Sequence, residues 1–290
     1  MKPKVDFFIV GAPKAGTTSL YSYLNRHPEI EMSTIKEPDY FSNEFIEEQS
    51  LYYKKESVRS LKKYHSLYSD IKNLVRGEAS VSYLFYEKVP KKIFKYNSSS
   101  KIIIMLRNPI DRAFSHYLMD YRLGLVSESF EDIVKKKSNH KYAKLFYQQY
   151  IQVGEYANQL KRYLNVFNSE NILLIDYDDF KKDVAGVVNK TYLFLGVNDD
   201  FQPNLNKKHN AYSMPKNRII RYIYSFVPLR NLLALIFTKE IIKSIRNLLF
   251  KSDKKLIMQV ETINFLKKHF EKDVNELSEL LNKDYTKWIK

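Results

Sequence analysis

The chain has 290 residues, of which 44% are hydrophobic, and its formal net charge is +15. This length and apolar content allow one large hydrophobic core or two small ones. The absence of cysteine excludes disulfides, thiolate metal ligands and a cysteine nucleophile. The positive charge favours an anionic partner, such as a nucleotide, an acidic glycan, a membrane surface or a nucleic acid, and does not choose among them.

Three continuous apolar segments, each next to a helical pattern, come in order along the first part of the chain. They are predicted to be buried strands over residues 5–10, 101–109 and 171–180. Buried strands separated by helices are typical of an α/β fold, here a P-loop-type parallel sheet flanked by helices. Ligands on such sheets bind at the carboxyl ends of the strands. The loops that follow Val10, Leu106 and Ile175 are therefore predicted to share one cleft.

The pattern changes after about residue 201, where a basic loop leads into amphipathic helices. We interpret the chain as a single domain, residues 1–290. An α/β nucleotide-binding core covers about residues 1–200, and a basic loop with a C-terminal helical extension covers about 201–290. The N-terminus has no signal-peptide pattern, which favours a cytoplasmic protein.

Residues 207–251 carry ten Lys or Arg and a single acid, Glu240, and hold more than half of the excess charge. Within them, residues 221–250 lack the ~20 uninterrupted apolar residues that span a bilayer. A basic amphipathic segment of this kind packs on the sheet, lines a cleft, or lies on the inner face of an anionic membrane. The sequence leaves these alternatives open, and it gives no indication of the oligomeric state.

The loop after the first strand, in FFIVGAPKAGTTSLYSYL, has the glycine spacing of a nucleotide triphosphatase loop, G-x-x-x-x-G-K-[ST]. Gly11 and Gly16 keep that spacing, but Thr17 stands where the lysine belongs, and the lysine, Lys14, lies inside the loop. A glycine loop before a helix still presents backbone N–H groups to an anion. Because Arg107 rather than an acid follows the second strand, the pattern favours a phosphate group without magnesium-bound triphosphate.

Two segments together resemble the sulfotransferases that use 3′-phosphoadenosine 5′-phosphosulfate as donor. GAPKAGTTSLYSYLNRHPEI, followed by KEPDYFS, is similar to the 5′-phosphosulfate loop of that family, and IIIMLRNPIDRAFSHYLMDYRLG is similar to its 3′-phosphate segment. Further similarity continues to LSELLNKDYTKW near the end of the chain. The resemblance is to bacterial-type members and to those that modify heparan sulfate and other carbohydrates.

The resemblance implies the phosphoadenosine donor, no required metal, and roles for particular residues. The 5′-phosphosulfate would contact Lys14, Ala15, Gly16, Thr17 and Thr18. Arg107 would form a forked hydrogen bond to the 3′-phosphate with help from Ser115, and Lys14 would stabilise the leaving oxygen. A late loop, in the position of the family's nucleotide-closing loop, offers Lys208, Asn210 and Tyr212 as further donor contacts.

Two acids compete for the role of general base. Glu78, in VRGEASVSYLFY, resembles the segment that bears the catalytic Glu of heparan sulfate sulfotransferases, and Glu37 lies in the cleft-lining motif IKEPDYF. We prefer Glu78 as the base, with Lys36 steering the donor sulfate or an acceptor anion and Glu37 contacting the acceptor. No motif around His65 or His116 resembles the catalytic His segment of the small-molecule sulfotransferases.

The sequence thus predicts an enzyme that transfers a sulfuryl group to a hydroxyl or amine, on a carbohydrate or glycolipid acceptor. One alternative is a P-loop kinase that uses ATP and Mg²⁺. A more distant alternative is a non-enzymatic basic module that binds a membrane or nucleic acid. No motif that reads RNA or DNA is visible, so nucleic acid is not an expected partner.

Overall fold

The structure, a computed structural model, describes residues 4–52, 58–205 and 256–290, with short pieces between 214 and 251. Its centre is a five-stranded sheet in the order β2-β3-β1-β4-β5, and every neighbouring pair of strands is parallel. The strands are β1 (Phe7–Gly11), β2 (Ile30–Met32), β3 (Val75–Ala79), β4 (Lys101–Leu106) and β5 (Ile172–Asp176). Short segments β6 (Met214–Pro215) and β7 (Phe250–Lys251) pair antiparallel.

The predicted α/β fold is confirmed, although the sheet has two strands that the sequence did not predict, β2 and β3. β1 lies at the middle of the sheet, where Phe8 pairs with Glu78 of β3 on one side and Ile102 of β4 on the other. β3 escaped prediction because its sequence, VRGEA, is not a continuous apolar run. Its buried polar side chains are matched by tertiary partners, which a local pattern does not reveal.

Helices flank the sheet. They are α1 (Thr17–Leu24), α2 (Asn43–Glu48), α3 (Leu61–His65), α4 (Val89–Tyr96), α5 (Pro109–Leu123), α6 (Phe130–Val134), α7 (Ala143–Tyr150), α8 (Tyr156–Leu164), α9 (Tyr177–Lys182), α10 (Val184–Leu195) and α11 (Val260–Leu281). The sequence-based prediction extended the third strand, residues 171–180, too far toward the C-terminus. It stops at Asp176 and α9 begins at once, which brings Tyr177 and Phe180 over the carboxyl edge of the sheet.

The last helix, α11, packs firmly onto the core. Its fully buried residues Leu266, Phe270, Val274 and Leu277 recur at helical spacing and form one apolar stripe. Between them, Asp273 accepts hydrogen bonds from the backbone N–H of Tyr156 and Ala157, at 2.7 and 3.0 Å. A side chain from α11 therefore satisfies the free amides at the start of α8.

Most of residues 221–250, and the predicted contacts Lys208, Asn210 and Tyr212, lie outside the described residues. Among the residues that the structure does describe, no helix combines the length and the apolarity that crossing a membrane requires. The interpretation of the chain as one domain stays a prediction.

Candidate active site

A cavity of about 1080 Å³ opens at the carboxyl edge of the sheet. Its wall includes Lys14 after β1, Ser82 after β3, Arg107 after β4 and Tyr177 after β5. The predicted shared cleft is therefore present, because parallel strands deliver all of their following loops to one edge. The predicted site residues that line it are Lys14, Gly16, Thr17, Thr18, Glu37, Arg107 and Ser115.

The loop before α1 forms a backbone cradle. Gly16 is the N-cap of α1 and has a φ of 93°, in the left-handed region that favours glycine. A Cβ at this position would lie 3.2 Å from the ring of Phe180 and 3.3 Å from that of Tyr177. Gly16 gives α1 no side-chain cap, and Gly16, Thr17 and Thr18 line the cavity. The start of a helix suits an anion, because its first backbone N–H groups have no partner within the helix. Ala15 lies behind this surface and is fully buried.

Lys14 projects its charge into a strongly positive part of the cavity. Its Nζ lies 3.3 Å from Sδ of Met119. Burial, followed by repulsion from Arg122, lowers the pKa of Lys14 to about 8, with Arg107 adding a further repulsion and Asp120 opposing it. Cations held this close to one another are stabilised by a multiply charged anion between them.

Arg107 is held beside the same loop. Its Nη1 donates to the carbonyl of Lys14 at 3.0 Å, and its guanidinium carbon lies 4.6 Å from the ring centroid of Tyr177. Its backbone carbonyl accepts from the hydroxyl of Tyr156 at 2.9 Å. The buried Nε of Arg107 has no hydrogen-bond partner among the described residues, which leaves it available to a ligand.

Ser115 comes from α5, which starts two residues after Arg107. The side chain of Asn108 caps this helix by accepting from the N–H groups of Ile110 and Asp111, at 2.9 and 3.4 Å. The cap fixes the direction of α5 relative to β4. Arg107 and Ser115 therefore reach the cavity from the same connection, and they form a second group of candidate anion ligands beside the Gly16 cradle.

Glu78, the acid that we preferred as the base, is not among the residues that line the cavity. Its side chain is fully buried and accepts hydrogen bonds from the hydroxyls of Tyr64 and Ser80, the latter at 2.7 Å. Burial raises the pKa of Glu78 to about 7, and hydrogen bonds from Tyr64, Tyr83 and Ser80 oppose this rise. This carboxyl ties β3 to α3 and is not among the residues that line the cavity.

Glu37 does line the cavity. Its backbone N–H donates to the carbonyl of Ala79 at 2.9 Å, which fixes it at the end of β3. Its carboxylate pairs with the Nζ of Lys36 at 2.5 Å, and 28% of the side chain is exposed. Lys36 is thus a partner of Glu37 and does not itself line the cavity. Glu37 is consequently the acid, of the two predicted candidates, that can reach a bound acceptor.

Two buried acids that the sequence analysis did not identify, Asp39 and Asp120, also line the cavity. Oδ1 of Asp39 accepts from Oγ of Ser82 at 2.7 Å. Asp120 follows His116 by one helical turn on α5, with 4.0 Å between His116 Nε2 and Asp120 Oδ2. The sequence did contain a signal for Asp120. His116 directly follows Ser115, and Asp120 lies four residues after His116, so the two polar side chains share a helix face next to a predicted ligand contact.

The two groups of candidate anion ligands lie in the two segments that resemble the sulfotransferase family. A model described as the sulfotransferase domain matches residues 4–278. The chain belongs to the sulfotransferase family. The predicted resemblance is confirmed.

Solved and curated sulfotransferases provide the comparison. A sulfotransferase structure from Alicyclobacillus acidocaldarius is 29% identical, has a TM-score of 0.72, and matches 99% of this chain and 100% of its own. The heparan sulfate N-deacetylase/N-sulfotransferase 4 of Mus musculus, a bifunctional protein, is 28% identical over 195 residues, or 66% of this sulfotransferase. Carbohydrate sulfotransferase 15 of Mus musculus is 25% identical over 246 residues, again 66% of the chain. The alignments cover 22% and 43% of these two curated relatives, respectively.

Proposed function

We propose that this sulfotransferase moves a sulfuryl group from 3′-phosphoadenosine 5′-phosphosulfate to a hydroxyl of a carbohydrate-type acceptor. The observation that carries the proposal is that the predicted ligands of both phosphates line one cavity. The Gly16 cradle with Lys14 suits the 5′-phosphosulfate, and Arg107 with Ser115 suits the 3′-phosphate. A nucleoside 3′,5′-bisphosphate needs anion sites at both ends of its ribose, whereas a nucleoside triphosphate carries its phosphates in one chain.

The reaction breaks the bond between sulfur and the bridging phosphate oxygen and forms a bond between sulfur and the acceptor oxygen. As in phosphoryl transfer, positioning and charge stabilisation supply most of the catalysis. Negative charge grows on the bridging oxygen as it leaves. Lys14, with its charge inside the cavity, is the residue that we assign to stabilise it.

We assign the general base to Glu37 in place of Glu78. A base must lie within hydrogen-bond reach of the proton that it removes, and reach is judged before pKa. Glu37 lines the cavity, and its carboxylate forms an ion pair with Lys36. The proton of the acceptor hydroxyl passes to Glu37 as the S–O bond forms, and Lys36 compensates the charge of the carboxylate before transfer.

The acceptor class rests on similarity to carbohydrate and heparan sulfate sulfotransferases. A cytoplasmic location, with peripheral membrane contact through residues 221–250, remains a proposal from the sequence. Flotation with anionic vesicles would detect such contact, and the same assay at high salt would separate charge attraction from insertion.

The test of the donor is calorimetric titration with 3′-phosphoadenosine 5′-phosphate and with ATP, each with and without Mg²⁺. We expect tight, metal-independent binding of the bisphosphate, weakened at least tenfold by Lys14→Ala and by Arg107→Ala. Lys95→Ala, at an exposed position of α4, is the matched control and should bind as the wild type does. Preferential binding of ATP with Mg²⁺ would refute the proposal in favour of a kinase. Binding that ignores both cavity substitutions would favour the basic-module alternative.

A further inference from the structure

The inner wall of the cavity contains a buried carboxylate with one unused oxygen. Asp120 is 1% exposed, and its Oδ2 accepts hydrogen bonds from the hydroxyls of Tyr52 and Tyr150, at 2.5 and 2.8 Å. These two bonds fix the plane of the carboxyl group. Its Oδ1 is buried without a hydrogen-bond partner among the described residues, and the residue lines the cavity.

An unpaired carboxylate oxygen in a buried position costs free energy, so native proteins pair nearly all such atoms. Burial raises the pKa of Asp120 to about 6, while the hydroxyls of Tyr52 and Tyr150 and the charge of Lys14 oppose the rise. The group is therefore ionised at neutral pH. Oδ1 is then an acceptor without a donor, placed at the surface of a cavity that binds a ligand.

The charges around the cavity divide into two groups. The cations Arg107 and Arg122 gather around Lys14, as their repulsive effect on its pKa demonstrates. A bound donor, with its phosphates and sulfate, would neutralise this group. The carboxylate of Asp120 remains, and it forms no ion pair with a Lys or Arg of the described residues.

Two further titratable neighbours, Glu37 and His116, add no positive charge beside Asp120. Glu37 is already paired with Lys36. Burial, with repulsion from Arg112 and Lys14, lowers the pKa of His116 well below its ordinary value, so this imidazole is neutral. When the donor is bound, the cavity wall at Asp120 therefore carries a negative charge.

Apolar side chains complete that wall. Ile46 of α2 and Leu51 line the cavity, and Leu51 directly precedes the Tyr52 that holds Asp120. Phe85 and Tyr86 line it from the segment after β3. A site with apolar and aromatic walls and a few buried polar groups fits a ligand that carries both hydroxyls and apolar surface.

We propose that Asp120 is an acceptor-binding residue whose free Oδ1 accepts a hydrogen bond from an acceptor hydroxyl, so that the site selects uncharged glycosides over carboxylate-bearing ones. This inference rests on the proposed function and narrows its acceptor class. A uronate carboxylate cannot donate to Oδ1, and it adds a negative charge beside Asp120. A hydroxyl in the same place satisfies the orphan oxygen.

The test uses the full chain saturated with 3′-phosphoadenosine 5′-phosphate at pH 7, between the pKa of Asp120 at about 6 and that of Lys14 at about 8. Octyl β-glucoside and octyl β-glucuronide, below their micellar concentrations, are titrated by calorimetry; they differ only by a hydroxymethyl and a carboxylate group. We expect the wild type to bind the glucoside at least tenfold more tightly, consistent with loss of one charge-assisted hydrogen bond plus repulsion.

Asp120→Asn places either an amide N–H or a neutral oxygen at this wall. It should weaken glucoside binding about tenfold and abolish the preference over the glucuronide, while the variant still binds the bisphosphate. Asp111→Asn makes the same charge change at an exposed position of α5 and should change neither. Tyr52→Phe keeps the carboxylate of Asp120 but removes one of the two hydrogen bonds that orient it. The glucoside should therefore bind more weakly, and the protein should still prefer it over the glucuronide.

Failure of the wild type to bind the bisphosphate would refute the proposed function itself. With the bisphosphate bound, three results would overturn only the inference about Asp120. The first is equal or tighter binding of the glucuronide, and the second is no binding of either glycoside. The third is an Asp120→Asn variant that either keeps the preference or loses bisphosphate binding together with the glucoside, which would make Asp120 a structural residue.

Discussion

Replacing Glu78 and Glu37 separately by Gln distinguishes a buried structural acid from a catalytic one. Gln resembles a protonated Glu in shape, so Glu78→Gln preserves the packing among Tyr64, Ser80 and Tyr83 while removing the ionisation. We expect it to retain activity. Glu37→Gln removes the proposed base and should lower kcat by about 10²–10⁴-fold, with unchanged affinity for the bisphosphate.

The effect of Glu78 on stability follows from its pKa, which rises from 4.5 to about 7 on folding. Between these values the folded state binds the proton more tightly than the unfolded state does. The free energy of unfolding therefore falls as the pH rises through this window, and the loss is complete above pH 7. At about 1.4 kcal/mol per pH unit, the loss is roughly 3 kcal/mol.

The assay is urea unfolding of the wild type and Glu78→Gln at pH 5 and pH 8, with kcat measured on the same samples. The wild type should lose roughly 3 kcal/mol more than the variant between these two pH values. Comparison of the two proteins cancels the contributions of other buried acids, such as Asp120 and Asp273. Our reasoning is refuted if Glu78→Gln loses kcat as severely as Glu37→Gln while it folds and binds the bisphosphate normally.

Three further predictions follow from the donor site and its supports. Binding of 3′-phosphoadenosine 5′-phosphate should require protonated Lys14, whose pKa is about 8 in the free protein, so affinity should be flat below pH 8 and fall by up to about tenfold per pH unit above it. Lys14→Arg should remove this pH dependence in calorimetry, and its persistence would exclude Lys14 as the cause. Gly16→Ala should lower the free energy of unfolding by about 1–2 kcal/mol and weaken bisphosphate binding, because the new Cβ would crowd Phe180 at a φ of 93°. If affinity and unfolding free energy are both unchanged, the loop at Gly16 is not the anion cradle. Asn108→Ala should remove the cap of α5 and cost about 1 kcal/mol, seen by calorimetry as a Tm lower by about 2–4 °C, and an unchanged Tm would show that the cap contributes nothing.

The sequence by itself determined the class of fold and the donor side of the site. β1 and β4 are continuous apolar runs followed directly by a glycine loop and by Arg107. Because parallel strands deliver their following loops to one edge, this local order was sufficient to bring Lys14, Thr18 and Ser115 to one cavity. The family resemblance rests on the same two segments, and the donor contacts from Lys14 to Ser115 that it implies lie within them.

Only the tertiary structure decided which acids line the cavity. Glu78 and Glu37 both lie in plausible motifs, but the pleat of β3 turns Glu78 into a core of tyrosines, while the backbone bond from Glu37 to Ala79 holds Glu37 at the cavity. The role that we propose for Asp120 depends on Tyr52 and Tyr150, which are distant in the sequence. Both hydroxyls donate to Oδ2, and Oδ1 has no hydrogen-bond partner among the described residues. Burial, and therefore the cost of an unpaired charge, is a property of the assembled fold, because each of these neighbours comes from a different element of the chain.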